Sequence, residues 1–93
     1  MALELTSTVI RTAGVMTAQV DSEIVILNMA GNNYISLDAI GRRIWELLET
    51  SSTGIELCRQ LSLEFDAGVE QIAADLLPFL TELEKDGLVR VTV

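Results

Sequence analysis

The apolar residues change their period at Asp38, and this change constrains the fold more than any other feature of the chain. Before it they come in short runs broken by turn formers; after it they recur every three or four residues. Val15 to Val20 carries β-branched residues and ends at the polar triplet Asp21-Ser22-Glu23, which suits a turn. Ile24-Val25-Ile26-Leu27 is a continuous apolar run of strand length. Ala30-Gly31-Asn32-Asn33 offers residues that tolerate positive φ, so the chain can reverse there before a third strand, Tyr34-Ile35-Ser36-Leu37. The pattern predicts an antiparallel meander of three strands. Thr6 to Arg11 fits either an additional strand or a loose arm.

From Asp38 onward the spacing predicts helices. The Asp38 carboxylate is placed to accept from the free amides of a first turn, and Ile40, Ile44, Leu47 and Leu48 follow in a helical stripe with Trp45 beside it. The Ser-Ser pair at Ser51 closes this helix. Thr53-Gly54-Ile55-Glu56 has the form of a capping box and opens a second helix, with apolar positions at Ile55, Leu57, Cys58, Leu61 and Leu63 or Phe65. After a break at Asp66-Ala67-Gly68, a third helix runs from Val69 to Asp86, and Gly87 is its left-handed terminator. Pro78 falls in the middle of it. A proline there removes one helical hydrogen bond and predicts a kink, or alternatively a helix that stops at Leu77. Leu88 to Val93 alternates apolar and polar residues and reads as a closing strand. The expected class is α+β: an N-terminal three-stranded antiparallel sheet followed by a three-helix winged helix-turn-helix unit with a short closing strand. Residues 1–14 form an arm or extra strand, and residues 15–93 a single domain.

With 93 residues there is room for one domain only. The composition, 49% apolar and 22% charged, is globular, and no apolar run approaches the roughly 20 residues of a membrane span. The N-terminus lacks a basic stretch followed by an apolar block, and the single cysteine, Cys58, has no internal disulfide partner; both point to a cytoplasmic location. The catalytic inventory is thin. There is no histidine, no glycine-rich phosphate loop and no Cys-x-x-Cys pair, and the fourteen acidic residues form no evident cluster. A non-enzyme without metal, cofactor or catalytic residues is therefore expected. The net charge of −8, with six scattered cations, disfavours nucleic acid and favours a neutral or basic partner.

Two stretches carry a resemblance. Ile24 to Leu48 holds Ile-Val-Ile-Leu-Asn, a Gly-containing turn, Tyr34-x-x-Leu37-Asp38-x-x-Gly41 and Ile44-Trp45-Glu46-Leu47-Leu48; later come Asp75-Leu76-x-x-Phe79-Leu80-x-x-Leu83 and Asp86-Gly87-Leu88-Val89. In this order and spacing they resemble the PqqD-like family over residues 15–93. Members of that family are recognition elements that bind the leader of a ribosomally made precursor peptide and present its core to modifying enzymes. The chain resembles a stand-alone member. It lacks the Pro-Glu that pyrroloquinoline quinone pathway members carry after the second strand, and Pro78 is a second departure. The Tyr34 and Trp45 motifs look more like the separate recognition proteins of lasso-peptide pathways. The resemblance implies a precursor-peptide leader as ligand, and a cysteine-protease-like leader peptidase and a cyclase as partners.

An edge strand leaves amides and carbonyls unpaired and is a template for a guest strand. In the family the leader adds to the third strand beside the third helix. Carried onto this chain, the strand side is Asn33, Tyr34, Ile35, Ser36 and Leu37. The helix side is Leu76, Phe79, Leu80 and Leu83, with Asp75 and Glu82 at the rim. Leu37 precedes a helix and belongs to the core, so Ile35 shares its face and Tyr34 and Ser36 point the other way. Plainer roles compete. Leu76, Leu80 and Leu83 suit an ordinary core stripe, Phe79 lies at its margin, and Tyr34 can simply cover the sheet. Asp75 could instead pair with Arg42 or Arg43 on the surface. Trp45 and Cys58 read as structural. The rival functions are a winged-helix DNA-binding regulator and a purely structural subunit of a modifying enzyme; oligomeric state is left open.

Overall fold

The computed structural model describes residues 3–21, 23–28 and 33–92. Its elements run β1 (Thr8–Arg11), β2 (Met16–Val20), β3 (Glu23–Asn28), β4 (Asn33–Leu37), α1 (Ala39–Leu47), β5 (Ser52–Thr53), α2 (Gly54–Phe65), α3 (Val69–Lys85) and β6 (Val89–Thr92). The expected meander is β2-β3-β4, antiparallel throughout. Asp21 closes its first hairpin at φ +56°, while Ser22, the expected second turn at 30–32 and the terminal Val93 lie outside the described residues.

Of the segment left open by the sequence, Thr6 to Arg11, Thr8–Arg11 is a strand, while Thr6 and Ser7 lie in the turn before it, where Ser7 N–H donates to Glu4 O at 3.0 Å. β1 is the middle strand of a second sheet, ordered β5-β1-β6, in which Val9 faces Val91 and Ile10 faces Arg90. Val9 is fully buried. The closing strand β6 thus finds its partner at the other end of the chain, and the two-residue β5 was not anticipated at all.

Capping follows the local chemistry. The Asp38 carboxylate accepts from the Gly41 amide at 2.8 Å and starts α1. Thr53 and Glu56 form the reciprocal capping box of α2, with Glu56 N–H donating to Thr53 Oγ1 at 3.2 Å and Thr53 N–H to Glu56 Oε1 at 3.2 Å. Asp66, at φ +50°, ends α2, and Gly87, at φ +75°, follows α3. α1 ends earlier than expected, at Leu47 rather than near Ser51. Its terminal carbonyl explains this: Arg11 N–H donates to Leu48 O at 3.1 Å, so β1 takes up the group that another helical turn would need.

α3 passes through Pro78 without ending, so the alternative of a stop at Leu77 does not hold. An interior proline costs about 3 kcal/mol. Leu76, Leu80 and Leu83 flank it and are buried in one core, and each contributes roughly 1.5–3 kcal/mol. Burial outweighs the lost hydrogen bond. Ile44, Trp45, Leu48, Leu57, Cys58, Leu61 and Ile72 complete the helical share of that core, and Ile26, Leu37, Leu88 and Val89 supply the strand side. Four residues placed in apolar stripes by spacing, Ile40, Ile55, Leu63 and, at the start of the third helix, Val69, are exposed instead; Phe65 takes the inward position at the end of α2.

On the surface, Arg43 Nε–H donates to Glu64 at 2.8 Å and ties α1 to α2. That bond, helped by Gln60, holds the Glu64 carboxyl below its ordinary range. A carboxyl so depressed adds stability at pH values above its unfolded value, and the contribution is lost as pH falls through the folded value. Glu64→Gln should therefore lower the melting temperature slightly at neutral pH, with the difference vanishing in acid. Melting curves across that range check it; a difference that grows in acid contradicts the pairing. Both groups face solvent, so the effect is small.

Candidate functional site

β4 lies at the edge of the β2-β3-β4 sheet. Beside its C-terminal half, a cleft of about 460 Å³ opens between the sheet, the start of α1 and the first half of α3. Ser36, Leu37 and Asp38 form one wall, Ile40, Gly41 and Ile44 the second, and Ala67, Gln71, Ile72, Asp75, Leu76 and Phe79 the third. The position of the cleft follows from two local facts. Asp38 turns the chain from strand into helix by capping α1, and Gly41, with no side chain, leaves the space between Leu37 and Phe79 open. A Cβ at Gly41 would lie 3.5 Å from Phe79 Cζ, 3.5 Å from Leu37 Cδ2 and 3.2 Å from Asp38 Oδ1.

The residues expected from the sequence divide into groups. Leu37, Ser36, Asp75, Leu76 and Phe79 meet at the cleft. Tyr34 is 69% exposed, and with Ser36 it faces away from the core, while Ile35 and Leu37 turn inward. Asn33 begins β4 and offers backbone at the edge. Leu80 and Leu83, by contrast, are fully buried and present no surface to a ligand. They lie on the side of α3 that packs into the core and do not line the cleft. Glu82 is exposed but does not line the cleft.

Asp75 does not pair with Arg42 or Arg43. Arg42 lies 3.7 Å from Glu46, and Arg43 reaches Glu46 and Glu64. The Asp75 carboxylate is thereby left at the cleft rim, where it can accept from an amide or a cationic side chain. Spacing alone missed Ile40, Gly41, Ile44, Ala67, Gln71 and Ile72 as cleft residues. The Asp38-x-x-Gly41 pattern held the one available signal, because a glycine early in a helix leaves space where another residue would put a side chain.

The chemistry available here is binding. The walls are mostly apolar with a few polar groups at the rim, a lining suited to orienting a ligand's apolar side chain. Among the described residues there is no grouping of three or more His, Cys, Asp or Glu that could hold a metal ion. No helix among them is long and apolar enough to cross a membrane. Cys58 is buried in the core, and burial pushes its thiol up, away from the reactive thiolate.

An open sheet edge beside an apolar cleft, on a winged-helix body, defines a small peptide-binding class of α+β domain. The sequence matches the family described as Coenzyme PQQ synthesis protein D (PqqD) over residues 23–89. The chain belongs to the PqqD family. Among solved structures it is similar to TbiB1 in complex with the TbiA(beta) leader peptide, at 30% identity and a TM-score of 0.75, over 90% of this chain and 98% of that one. It also shares its fold with the PqqD truncation of Methylobacterium extorquens PqqCD, whose solution NMR structure represents a stand-alone recognition element for ribosomally synthesised and post-translationally modified peptides. There the TM-score is 0.79 at 21% identity, over 96% of this chain and 95% of that one. No curated protein matches the chain.

Proposed function

We propose that this protein binds the leader segment of a ribosomally synthesised precursor peptide by strand addition to β4, and delivers it to processing enzymes. The single observation that carries this is the juxtaposition of the free β4 edge with the cleft against α3. A guest strand gains main-chain hydrogen bonds along Asn33 to Leu37, and every second side chain is directed to the cleft. Ile40, Ile44, Ile72 and Phe79 suit an apolar or aromatic anchor there, and Asp75 suits an amide or a basic residue beside it. The likeness to TbiB1, solved with a leader peptide, supports the same use of this fold.

The proposed partners are a cysteine-protease-like leader peptidase and a cyclase of lasso-peptide biosynthesis, acting in the cytoplasm. The domain has no catalytic step of its own and works by raising the local concentration of the substrate at the enzyme. A DNA-binding role is disfavoured by charge: α3 carries Glu70, Asp75, Glu82 and Glu84 against Lys85 alone.

Titration of a labelled leader peptide, followed by fluorescence anisotropy, tests the proposal. Binding in the micromolar range or tighter, about −8 kcal/mol or better, is expected. Phe79 is half-buried at the cleft wall, so Phe79→Ala should weaken binding roughly tenfold while the domain stays folded. Absence of binding at high micromolar concentration refutes the proposal.

A further inference from the structure

The cleft beside β4 carries charge of one sign. Its charged lining residues are Asp38 and Asp75, and among the described residues no Lys or Arg lines it. Asp38 is already engaged. Its carboxylate caps α1 through the Gly41 amide, and the positive end of that helix offsets its charge. Asp75 has no such partner, because Arg42 and Arg43 turn to Glu46 and Glu64. Gln71, Asp75 and Phe79 all line the cleft and follow one another at intervals of four residues, so one face of α3 presents them in a row. The net charge of −8 adds to the negative potential at this row, and the apolar walls focus it.

We infer that the cleft selects leaders in which a Lys or Arg stands two residues from the apolar anchor, with the anchor against Phe79 and the cation at Asp75; the inference deepens the leader-binding function proposed above and rests on it. Spacing is the first reason. One turn of α3 separates Asp75 from Phe79, about 6 Å along the axis. Side chains on one face of an extended strand recur about every 6.7 Å. A guest lying along α3 therefore meets the two with residues two apart, while the residue between them points away. Charge is the second reason. An acidic guest residue at this point faces Asp75 and Asp38 with no cation of the cleft to offset it. A Lys or Arg there supplies the charge that the cleft lacks, and its apolar stem covers the wall beside the anchor.

Selection from a random peptide library displayed on phage tests this with every side chain at every position. Only peptides whose binding Phe79→Ala weakens are counted, so that the cleft is the site being read. The wild-type domain should enrich peptides with Lys or Arg two residues from a large apolar residue, and Asp75→Lys should move the preference at that position to Asp or Glu. One enriched peptide is then synthesised with a fluorescent label. Asp75→Asn should weaken its binding roughly two- to fivefold at low salt, and the loss should shrink as salt is raised, since Asp75 is exposed. Replacing the cation of the peptide by Gln should weaken wild-type binding by a similar factor and add little in Asp75→Asn. Glu70→Gln is the control, since Glu70 is exposed on α3 and does not line the cleft; it removes the same charge and should leave the affinity nearly unchanged. The inference is overturned if the counted peptides show no charge preference, if Asp75→Lys leaves that preference as it was, if the two substitutions weaken binding additively, or if Glu70→Gln weakens it as much as Asp75→Asn. Peptides that bind at the cleft without a charge preference leave the leader-binding function standing. Failure to enrich any peptide that depends on Phe79 is a separate result, which removes that function and this inference with it.

Discussion

Gly41→Leu should weaken leader binding tenfold to a hundredfold in a domain that remains folded. Gly41 lies in the first turns of α1, and a Cβ built there points between Leu37 Cδ2 and Phe79 Cζ, each 3.5 Å away. Both neighbours line the cleft, so a leucine side chain has the cleft itself to occupy. Leucine is favoured over glycine in a helix by about 1 kcal/mol, which offsets local crowding against Asp38. A leader side chain that would otherwise be buried there loses roughly 1.5–3 kcal/mol. At about 1.4 kcal/mol per factor of ten, that is a tenfold to hundredfold rise in Kd. Gly41→Ala separates the cleft from the helix. Its single methyl group makes ordinary contacts with Leu37 and Phe79, so it should bind leader nearly as the wild type does. Anisotropy titrations of both variants, with circular dichroism as the check on folding, decide the matter. A leucine variant with normal affinity would mean that the leader does not use this cleft.

Leu80→Ala should have the largest effect on stability. Leu80 is fully buried within the core, one turn beyond Leu76 on α3. Truncating a buried leucine costs about 2–5 kcal/mol. Small domains have only about 5–15 kcal/mol in total. The corresponding fall in melting temperature is on the order of 10–30 °C. Chemical denaturation of the variant should show a lowered midpoint with an unchanged slope. Any loss of leader binding should then follow the unfolded fraction. A variant that kept wild-type stability but lost binding would return Leu80 to the site, against its burial. The contrast with Phe79 is the useful one, since the two apolar residues are neighbours in sequence and the helix turns one to the cleft and the other into the core.

Much of the architecture was legible in the sequence because it is set by short-range chemistry. Asp38, Thr53 with Glu56, and Gly87 mark helix ends through groups within three or four residues of them. The meander follows from apolar runs separated by turn formers, and the inward phase of Ile35 and Leu37 follows from the two-residue period of a strand. The family resemblance rested on these same local patterns, and the structure has the edge strand β4 with a cleft between it and α3.

Other features were not legible because they depend on contacts between distant residues. Thr6 to Arg11 has strand-forming residues, but whether it pairs is decided by β6, more than seventy residues away along the chain. The end of α1 is decided by the Arg11 amide. Arg42 and Arg43 could reach several carboxylates by composition; Glu46 lies within one helical turn of both, and the packing of α1 on α2 adds Glu64 for Arg43 in place of Asp75. Apolar spacing treats Ile40, Leu76, Phe79 and Leu80 alike. Only the position of the sheet against α1 and α3 leaves Ile40 38% exposed at the cleft, Phe79 at its wall and Leu80 sealed beneath.

The sequence by itself determined the order and kind of the main elements, the helix caps and the family. The tertiary structure decided which apolar side chains remain available to a ligand. The physical reason is range: capping and periodicity act within a turn or a strand, whereas a cleft is the space that remains after elements far apart in sequence have packed.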